Sequence, residues 1–246
     1  MPDDAEIPLE GGTLSVGVVR VADTVRRPVT ASSDFVARLL LDLEARNVSW
    51  APRYLGRDEQ GRDMLTFIAG SVPARWLEQT DARVAGVARL LRALHDATRG
   101  SELAGARSVV CHNDPSPSNT VLDRAGQPSA FIDFDFAAPG EPLEDLGYLC
   151  WSWCVSSKPT RASVNVQAAQ VRVAADAYGA SAAERAGLVD AMLERFTRNR
   201  AFWAAYLAQG LVANSSPERI AARIAWSETE FAFVTEQRAV FEAALR

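Results

Sequence analysis

Lysine is almost missing from this chain. Lys158 is the only one among 26 lysines and arginines, so a task that ordinarily falls to a strand lysine must go to arginine or stay undone. Histidine is nearly as scarce, with only His95 and His112. That excludes an imidazole-rich metal centre. The three cysteines, Cys111, Cys150 and Cys154, form neither an even set nor a C-x-x-C pair, and read as buried free thiols in a reducing compartment. No apolar run approaches the roughly 18 residues a membrane span requires. The first ten residues, MPDDAEIPLE, are acidic and lack the apolar centre of a signal peptide, so a cytoplasmic location is expected. The net charge of −5 and pI of 5.2 carry no basic surplus to recommend a nucleic acid as partner. Repeats and low-complexity tracts are absent too.

What is present is a chain of 246 residues, 48% hydrophobic, long enough to bury a large core. Its charge is uneven. Residues 1–150 carry 22 acids and 15 bases, whereas 151–246 carry 9 acids and 11 bases. Residues 14–28 predict two β-prone strands turning at Ala22-Asp23 and closed by Pro28. Ser32 or Ser33 then caps a helix to about Arg46, with Phe35, Val36, Leu39, Leu40 and Leu43 at helical spacing and Asn47 as its stop. Pro52 to Gly56 and Met64 to Ile68 predict two more strands around the turn Asp58 to Gly61. Gly70 and Pro73 mark a break. The expected boundary near residue 70 separates a strand-rich lobe, 1–70, from a helical one, 71–246. A strong amphipathic helix runs from Asp81 to about Thr98, with His95 on its apolar side. Helices are predicted over 143–156, 160–179, 182–198, 199–213 and 217–244. Most of the aromatic side chains of that half, from Trp151 to Phe233, are expected to be core.

The chemistry concentrates between Val109 and Leu146. His112, Asp114 and Asn119 fall within a loop broken by Pro115 and Pro117. A predicted hairpin, Thr120–Leu122 and Ala130–Ile132, then delivers Asp133 and Asp135 at its far end. Phosphoryl transfer needs a carboxylate to orient and deprotonate an acceptor hydroxyl, and hard oxygen ligands to hold magnesium. Asp114 suits the first task, Asn119 and Asp133 the second. A metal-hydrolase reading of His112, Asp114, Asp133 and Asp135 uses the same residues, but such sites ordinarily recruit more imidazole than this chain owns. Acyl transfer lacks a G-x-S-x-G elbow and a spare base for Ser116 or Ser118.

The run HNDPSPSN, the IDFD from Ile132 and the PLEDLGYL that follows together resemble the aminoglycoside phosphotransferase and choline kinase-like family. RALHD at 92–96 resembles that family's helix ending in Leu-His, and LTFIAG at 65–70 its hinge. The resemblance implies a protein-kinase-like two-lobed α+β fold: a small antiparallel-sheet N-lobe with one helix, and a larger, mainly helical C-lobe. That C-lobe would carry a catalytic loop over 109–122 and a metal-binding segment over 130–146. It further implies Asp114 as catalytic base and His112 as the brace of its loop. Asn119 and Asp133 would be ligands of Mg2+, with ATP or GTP as co-substrate, and Asp145 a structural acid at the next helix. Backbone groups of Thr66, Phe67 and Ile68 would meet the base of the nucleotide. Position 113 is Asn where the family usually has Gly.

The resemblance is weakest in the small lobe. Kinase-like enzymes hold the phosphates with a strand lysine paired to a helix Glu, and no lysine precedes residue 158. Arg26 stands where that lysine would fall. Strand alternation sends Arg26 and Arg27 to opposite faces, so one of the two should point at the cleft. Gly11-Gly12 and Gly17 are weak candidates for a phosphate loop. Two functions of different class follow. One is a magnesium-dependent kinase acting on a small hydroxylated molecule. The other is a pseudokinase-like binding protein that keeps the fold but transfers phosphate poorly. The positive balance of the second half, with Arg195, Arg198 and Arg200 clustered, argues against polycationic acceptors.

Overall fold

The computed structural model describes residues 5–9, 17–74, 77–210 and 216–246. The predicted residues 14–16 and 211–213, and Gly11-Gly12, lie outside them. Five antiparallel strands build the N-terminal sheet in the order β1-β2-β3-β5-β4. They are β1 (Ile7–Pro8), β2 (Val19–Val21), β3 (Thr24–Arg27), β4 (Tyr54–Arg57) and β5 (Asp63–Thr66). The β2–β3 turn sits at Ala22-Asp23 as expected, with Ala22 at φ +50°. Helix α1 (Ser33–Ala45) buries Val36, Leu39, Leu40 and Leu43. Neither candidate serine caps it through its side chain, because the Ser33 hydroxyl is spent on the buried Asp63 carboxylate. Asn47 ends the helix region at φ +60°, a conformation Asn tolerates better than most residues.

Helix α2 (Asp81–Thr98) is capped by Thr80 and buries Val84, Val87, Ala88, Leu91, Leu94 and His95, the face its sequence pattern predicts. Two short sheets follow: β6 (Val109–Cys111) with β9 (Ala138–Gly140), and β7 (Thr120–Leu122) with β8 (Pro128–Phe131). Then come α3 (Pro142–Cys154), α4 (Val164–Tyr178), α5 (Ala182–Ala208), α6 (Pro217–Glu236) and α7 (Arg238–Leu245).

Expected strand and helix ends shift by a few residues, Met64–Ile68 becoming Asp63–Thr66 for one, and two helix divisions differ outright. The segments 182–198 and 199–213 are one helix as far as Ala208. Asn199, at the expected division, uses its side chain on Ser227 and Trp203. Conversely 217–244 is broken at Gln237, where neither Gly nor Pro gives warning. The aromatic residues are also less buried than expected. Trp151, Trp153, Phe196 and Trp203 are core, Tyr206, Trp226 and Phe233 are half-buried, and Phe202 and Phe231 are exposed.

The lobes meet over the β7–β8 hairpin. Ser71 and Leu122 exchange backbone hydrogen bonds of 3.1 and 2.7 Å, and the Phe131 amide donates to the Trp50 carbonyl at 2.9 Å. No helix of the described residues is long and apolar enough to cross a membrane.

Candidate active site

Two strand pairs gather the chemistry. The β6–β9 pairing sets Cys111 against Ala138, so both ends of the 112–137 stretch are pinned side by side. β9 contains Pro139 and is too short to announce itself in sequence. The β7–β8 register of Thr120 with Phe131, extended by an Ile132 amide bond to the Asn119 carbonyl at 2.9 Å, carries Asn119 alongside Asp133. The predicted loop and hairpin thus converge.

His112 is buried between the rings of Phe131 and Phe134, at centroid distances of 5.1 and 4.6 Å. Its Nε2 donates to the Ile132 carbonyl at 3.2 Å, and its Nδ1 accepts the Asp114 amide at 3.3 Å. Both nitrogens are therefore spent on backbone, in one neutral tautomer. Burial pushes its pKa down, which agrees. Asn113 adopts φ +64°, the left-handed region that favours glycine. Asn is among the side chains that accept it, which reconciles this position with the family's usual Gly. Asp145, at the start of α3 and fully buried, accepts the amides of His112 at 2.6 Å and Asn113 at 2.8 Å, together with His95 Nε2 at 3.2 Å. Burial alone would raise its pKa. The His95 hydrogen bond, with the nearby Arg195 guanidinium, holds it below the usual carboxylate value. It is a structural acid in the expected sense: it ties down the loop that presents Asp114.

Asp114 itself is half-buried. Its Oδ1 accepts the Tyr148 hydroxyl at 2.6 Å, and its backbone carbonyl accepts Asn119 Nδ2 at 3.1 Å. With its amide group turned that way, Asn119 keeps Oδ1 clear of hydrogen bonds among the described residues. Asp133 sits at φ +61°, a strained backbone for a residue other than Gly. Asp133 is exposed to solvent on one side, yet neighbouring protein desolvates its carboxylate. That desolvation, then the charges of Asp135 and Asp114, push its pKa up to about 6 against a partial offset from Arg27. Carboxylates crowded this way, with an amide oxygen beside them, are a hard-oxygen donor set that suits a magnesium ion.

On the small-lobe side, Arg27 is the arginine that faces the cleft. Its guanidinium hydrogen-bonds Asp135 across the lobes and lies 3.6 Å from the buried Asp63. Arg26 projects from the opposite face, 3.7 Å from Asp58 and bonded to Thr24 Oγ1 at 2.6 Å, so it does not join the cluster. In the segment 66–68, the Thr66 amide is tied to Arg53 and the Phe67 amide to Asp23, while the Phe67 ring lies under Arg20 at 3.9 Å. Ile68 is the one whose backbone groups take no hydrogen bond among the described residues.

Sequence reasoning missed three supports of the loop. Tyr148 and Trp153 share with Asp145 the side of α3 that faces it, Trp153 Nε1 donating to the Pro115 carbonyl at 2.8 Å. The spacing of Tyr148, one turn after Asp145, was the available signal. Arg195 comes from α5 and hydrogen-bonds Asn113 Oδ1 at 3.1 Å and its carbonyl at 2.7 Å, with no local signal at all. Arg198 pairs with Glu144 and Glu194, and Arg200 lies 3.5 Å from Glu228. The clustered arginines therefore do not form a basic wall for an acceptor, and the charge argument against polycations loses its basis. His95, Cys111 and Asp145 lie close enough to suggest a metal triad. However, His95 Nδ1 is engaged by the Tyr178 hydroxyl at 2.7 Å, and burial pushes the Cys111 thiol far up. The cluster is a hydrogen-bond array.

Known proteins resemble this chain in sequence and in fold. A sequence profile of the phosphotransferase enzyme family matches residues 101–188, which include the whole loop and hairpin. The trifolitoxin immunity protein of Rhizobium leguminosarum bv. trifolii is 31% identical over 264 aligned positions, covering 98% of each chain. A choline/ethanolamine kinase family protein from Mesorhizobium loti has the same fold with a TM-score of 0.65 at 18% identity, covering 98% of this chain and 92% of that one. A spectinomycin phosphotransferase, solved with ADP and spectinomycin, aligns with a TM-score of 0.60 at 12% identity over 95% and 93% of the two chains. The chain therefore belongs to the phosphotransferase enzyme family, on the kinase-like fold of the aminoglycoside phosphotransferases and choline kinases.

Proposed function

We propose that this protein is a magnesium-dependent small-molecule kinase, moving the γ-phosphoryl group of ATP or GTP to a hydroxyl of its acceptor. What supports the reading is the closeness of three oxygen-bearing side chains: Asn119 Nδ2 donates to the Asp114 carbonyl, the Ile132 amide beside Asp133 donates to the Asn119 carbonyl, and the Asp114 charge acts on Asp133. Asp114 is the base. Its Oδ1 is held by Tyr148, which leaves Oδ2 to orient the acceptor hydroxyl and take its proton. As the acceptor oxygen bonds to phosphorus, the bond from the γ-phosphorus to the bridging oxygen breaks and the nucleoside diphosphate leaves. Magnesium, held by Asn119 Oδ1 and the Asp133 carboxylate, would supply positive charge against the phosphate oxygens. His112 braces the loop, and the free backbone of Ile68, within the 66–68 hinge, meets the nucleotide base. Arg27 rather than Arg26 is the phosphate-side cation.

The spectinomycin phosphotransferase was solved with a nucleotide and an antibiotic, which supports both substrate classes. The relative named for immunity to trifolitoxin puts toxins beside aminoglycosides, sugars and amino alcohols among the acceptors to try. Transfer of labelled phosphate from MgATP across that panel is the direct test. Asp114→Asn should lower turnover by about 10²- to 10⁴-fold while nucleotide affinity stays near wild type. Asp133→Ala should instead abolish the magnesium-dependent thermal shift given by ATP. Wild-type turnover in both variants would refute the roles. A shift without turnover on any acceptor would leave the pseudokinase-like binder, the function that a missing lysine favours.

A further inference from the structure

Arg195 lies beyond the stretch that the family profile matches, yet from α5 it hydrogen-bonds the catalytic loop twice. It is 7% exposed. Two of its nitrogens are spent on Asn113, Nη1 on the side-chain oxygen and Nη2 on the carbonyl. Its Nε is buried without a hydrogen-bond partner, and although its charge reaches Asp145, no carboxylate forms a close ion pair with it among the described residues. Burying a guanidinium on such terms is costly, so packing alone is a poor reason for it. The guanidinium carbon also lies 4.8 Å from the centroid of the Tyr148 ring, and the hydroxyl of that ring donates to Asp114 Oδ1 at 2.6 Å. A cation over the face of a phenol ring is attracted to it and limits how the ring can tilt.

We propose that Arg195 is a positioning residue for Asp114, acting from behind the loop by two routes. Through Asn113 it holds the left-handed turn that immediately precedes Asp114, and through Tyr148 it fixes the ring whose hydroxyl orients the Asp114 carboxylate. The inference rests on reading Asp114 as the base. An Asn at position 113 gains a purpose from it, because its side-chain oxygen supplies the second acceptor that a glycine would lack.

The test uses the full chain carrying Arg195→Met, Arg195→Lys, Tyr148→Phe, and Arg195→Met with Tyr148→Phe. Amide hydrogen exchange over 112–119 is followed beside that of α4 as an internal reference, and MgATP turnover is measured with whichever acceptor the panel identifies. Arg195→Met should speed exchange in the loop about tenfold while α4 keeps its protection. It should also lower kcat about 10- to 100-fold, as small misplacements of a reacting group do, with KM for MgATP within about twofold. Arg195→Lys, which restores the charge but not the fork, should recover part of both losses. Arg195 and Tyr148 act in series on one carboxylate, so the double variant should lose less than the product of the single losses. Loop exchange unchanged by Arg195→Met, or raised equally in α4, overturns the proposal, and so does multiplicative loss in the double variant. If the wild type turns over nothing, the base reading fails by itself, while the exchange comparison still decides whether Arg195 holds the loop.

Discussion

Asp145 offers a sharp test of how the site is held. Its carboxylate serves two backbone amides and one imidazole nitrogen, at 2.6, 2.8 and 3.2 Å, and its side chain is completely buried. Asp145→Ala leaves the His112 and Asn113 amides without acceptors. A buried unpaired donor costs about 1–3 kcal/mol. With two such amides we therefore expect Asp145→Ala to lose about 2–6 kcal/mol of the ~5–15 kcal/mol that holds a typical domain. Asp145→Asn has the same shape but only one acceptor oxygen, so its amide group must face one of the two backbone N–H groups. Its loss should be about 2–3 kcal/mol. Urea unfolding midpoints at constant slope report both. An Asp145→Asn protein within about 0.5 kcal/mol of wild type, the range of an ordinary surface change, would refute this account of the loop.

The same carboxylate sets a pH signature. Its folded-state pKa lies below the ordinary value, so between that low value and about pH 4 the unfolded chain binds more protons than the folded one. Stability then rises with pH through this window, is fully present above it, and is lost as pH falls through the folded pKa. The wild type should exceed Asp145→Asn by the full margin at pH 7, and the gap should close progressively on acidification. A gap equally wide at pH 7 and at the acid end of the folding range would mean that shape, and not charge, is what the loop needs.

Asp133 should behave in the opposite sense. Its pKa is raised to about 6, so in metal-free protein its ionisation costs stability as pH rises from about 4 to that value, and Asp133→Asn should melt higher than wild type at pH 7 while losing the shift given by MgATP. A lower melting temperature for this variant in chelator would contradict the crowding of carboxylates. Gly147 of α3 passes so close to α5 that an added Cβ would lie 2.8 Å from the Ala191 carbonyl carbon and 2.9 Å from its Cβ. The roughly 1 kcal/mol that Ala gains in a helix should be outweighed by about 1–3 kcal/mol of overpacking, giving a Gly147→Ala protein that unfolds at lower urea. Arg27→Ala removes the Arg27–Asp135 hydrogen bond and leaves Asp63, 1% exposed, with one cation fewer. Its KM for MgATP should rise more than kcat falls, and an unchanged KM would remove Arg27 from the phosphate side.

Much of this site is legible in sequence because its parts are local. His112, Asp114 and Asn119 lie on one turn of chain, and the hairpin that returns to Asp133 is signalled by β-prone runs around a Gly-containing turn. The α2 face was equally plain, since seven buried positions from Val84 to Thr98 repeat at helical spacing. What escaped is non-local or too short to have a period. β9 is three residues with a proline in the middle. The contact of Arg195 with Asn113 spans 82 positions, and that of Arg27 with Asp135 spans 108. Alternation could say that Arg26 and Arg27 diverge, but only the sheet's placement over the hairpin says which of them meets the acids.

The missing lysine takes on a different meaning beside these contacts. Two buried guanidiniums flank the carboxylates of the cleft, Arg27 from the small lobe and Arg195 from the large one, and each keeps a buried Nε without a hydrogen bond. Unsatisfied buried donors are few in a folded protein, and each calls for a reason. Here two of the four found among the described residues border one site, and so do two of the four non-glycine residues with positive φ, Asn113 and Asp133. Strain, orphaned donors and crowded negative charge thus coincide in this region. A protein kept only for its fold would be free to relieve each of them by a single substitution: Asn113 to glycine, Asp133 to asparagine, Arg195 to an apolar side chain. All three fit the proposed function, in which the cleft would hold a cation and a phosphate group against Asp114 with Arg27 on the phosphate side.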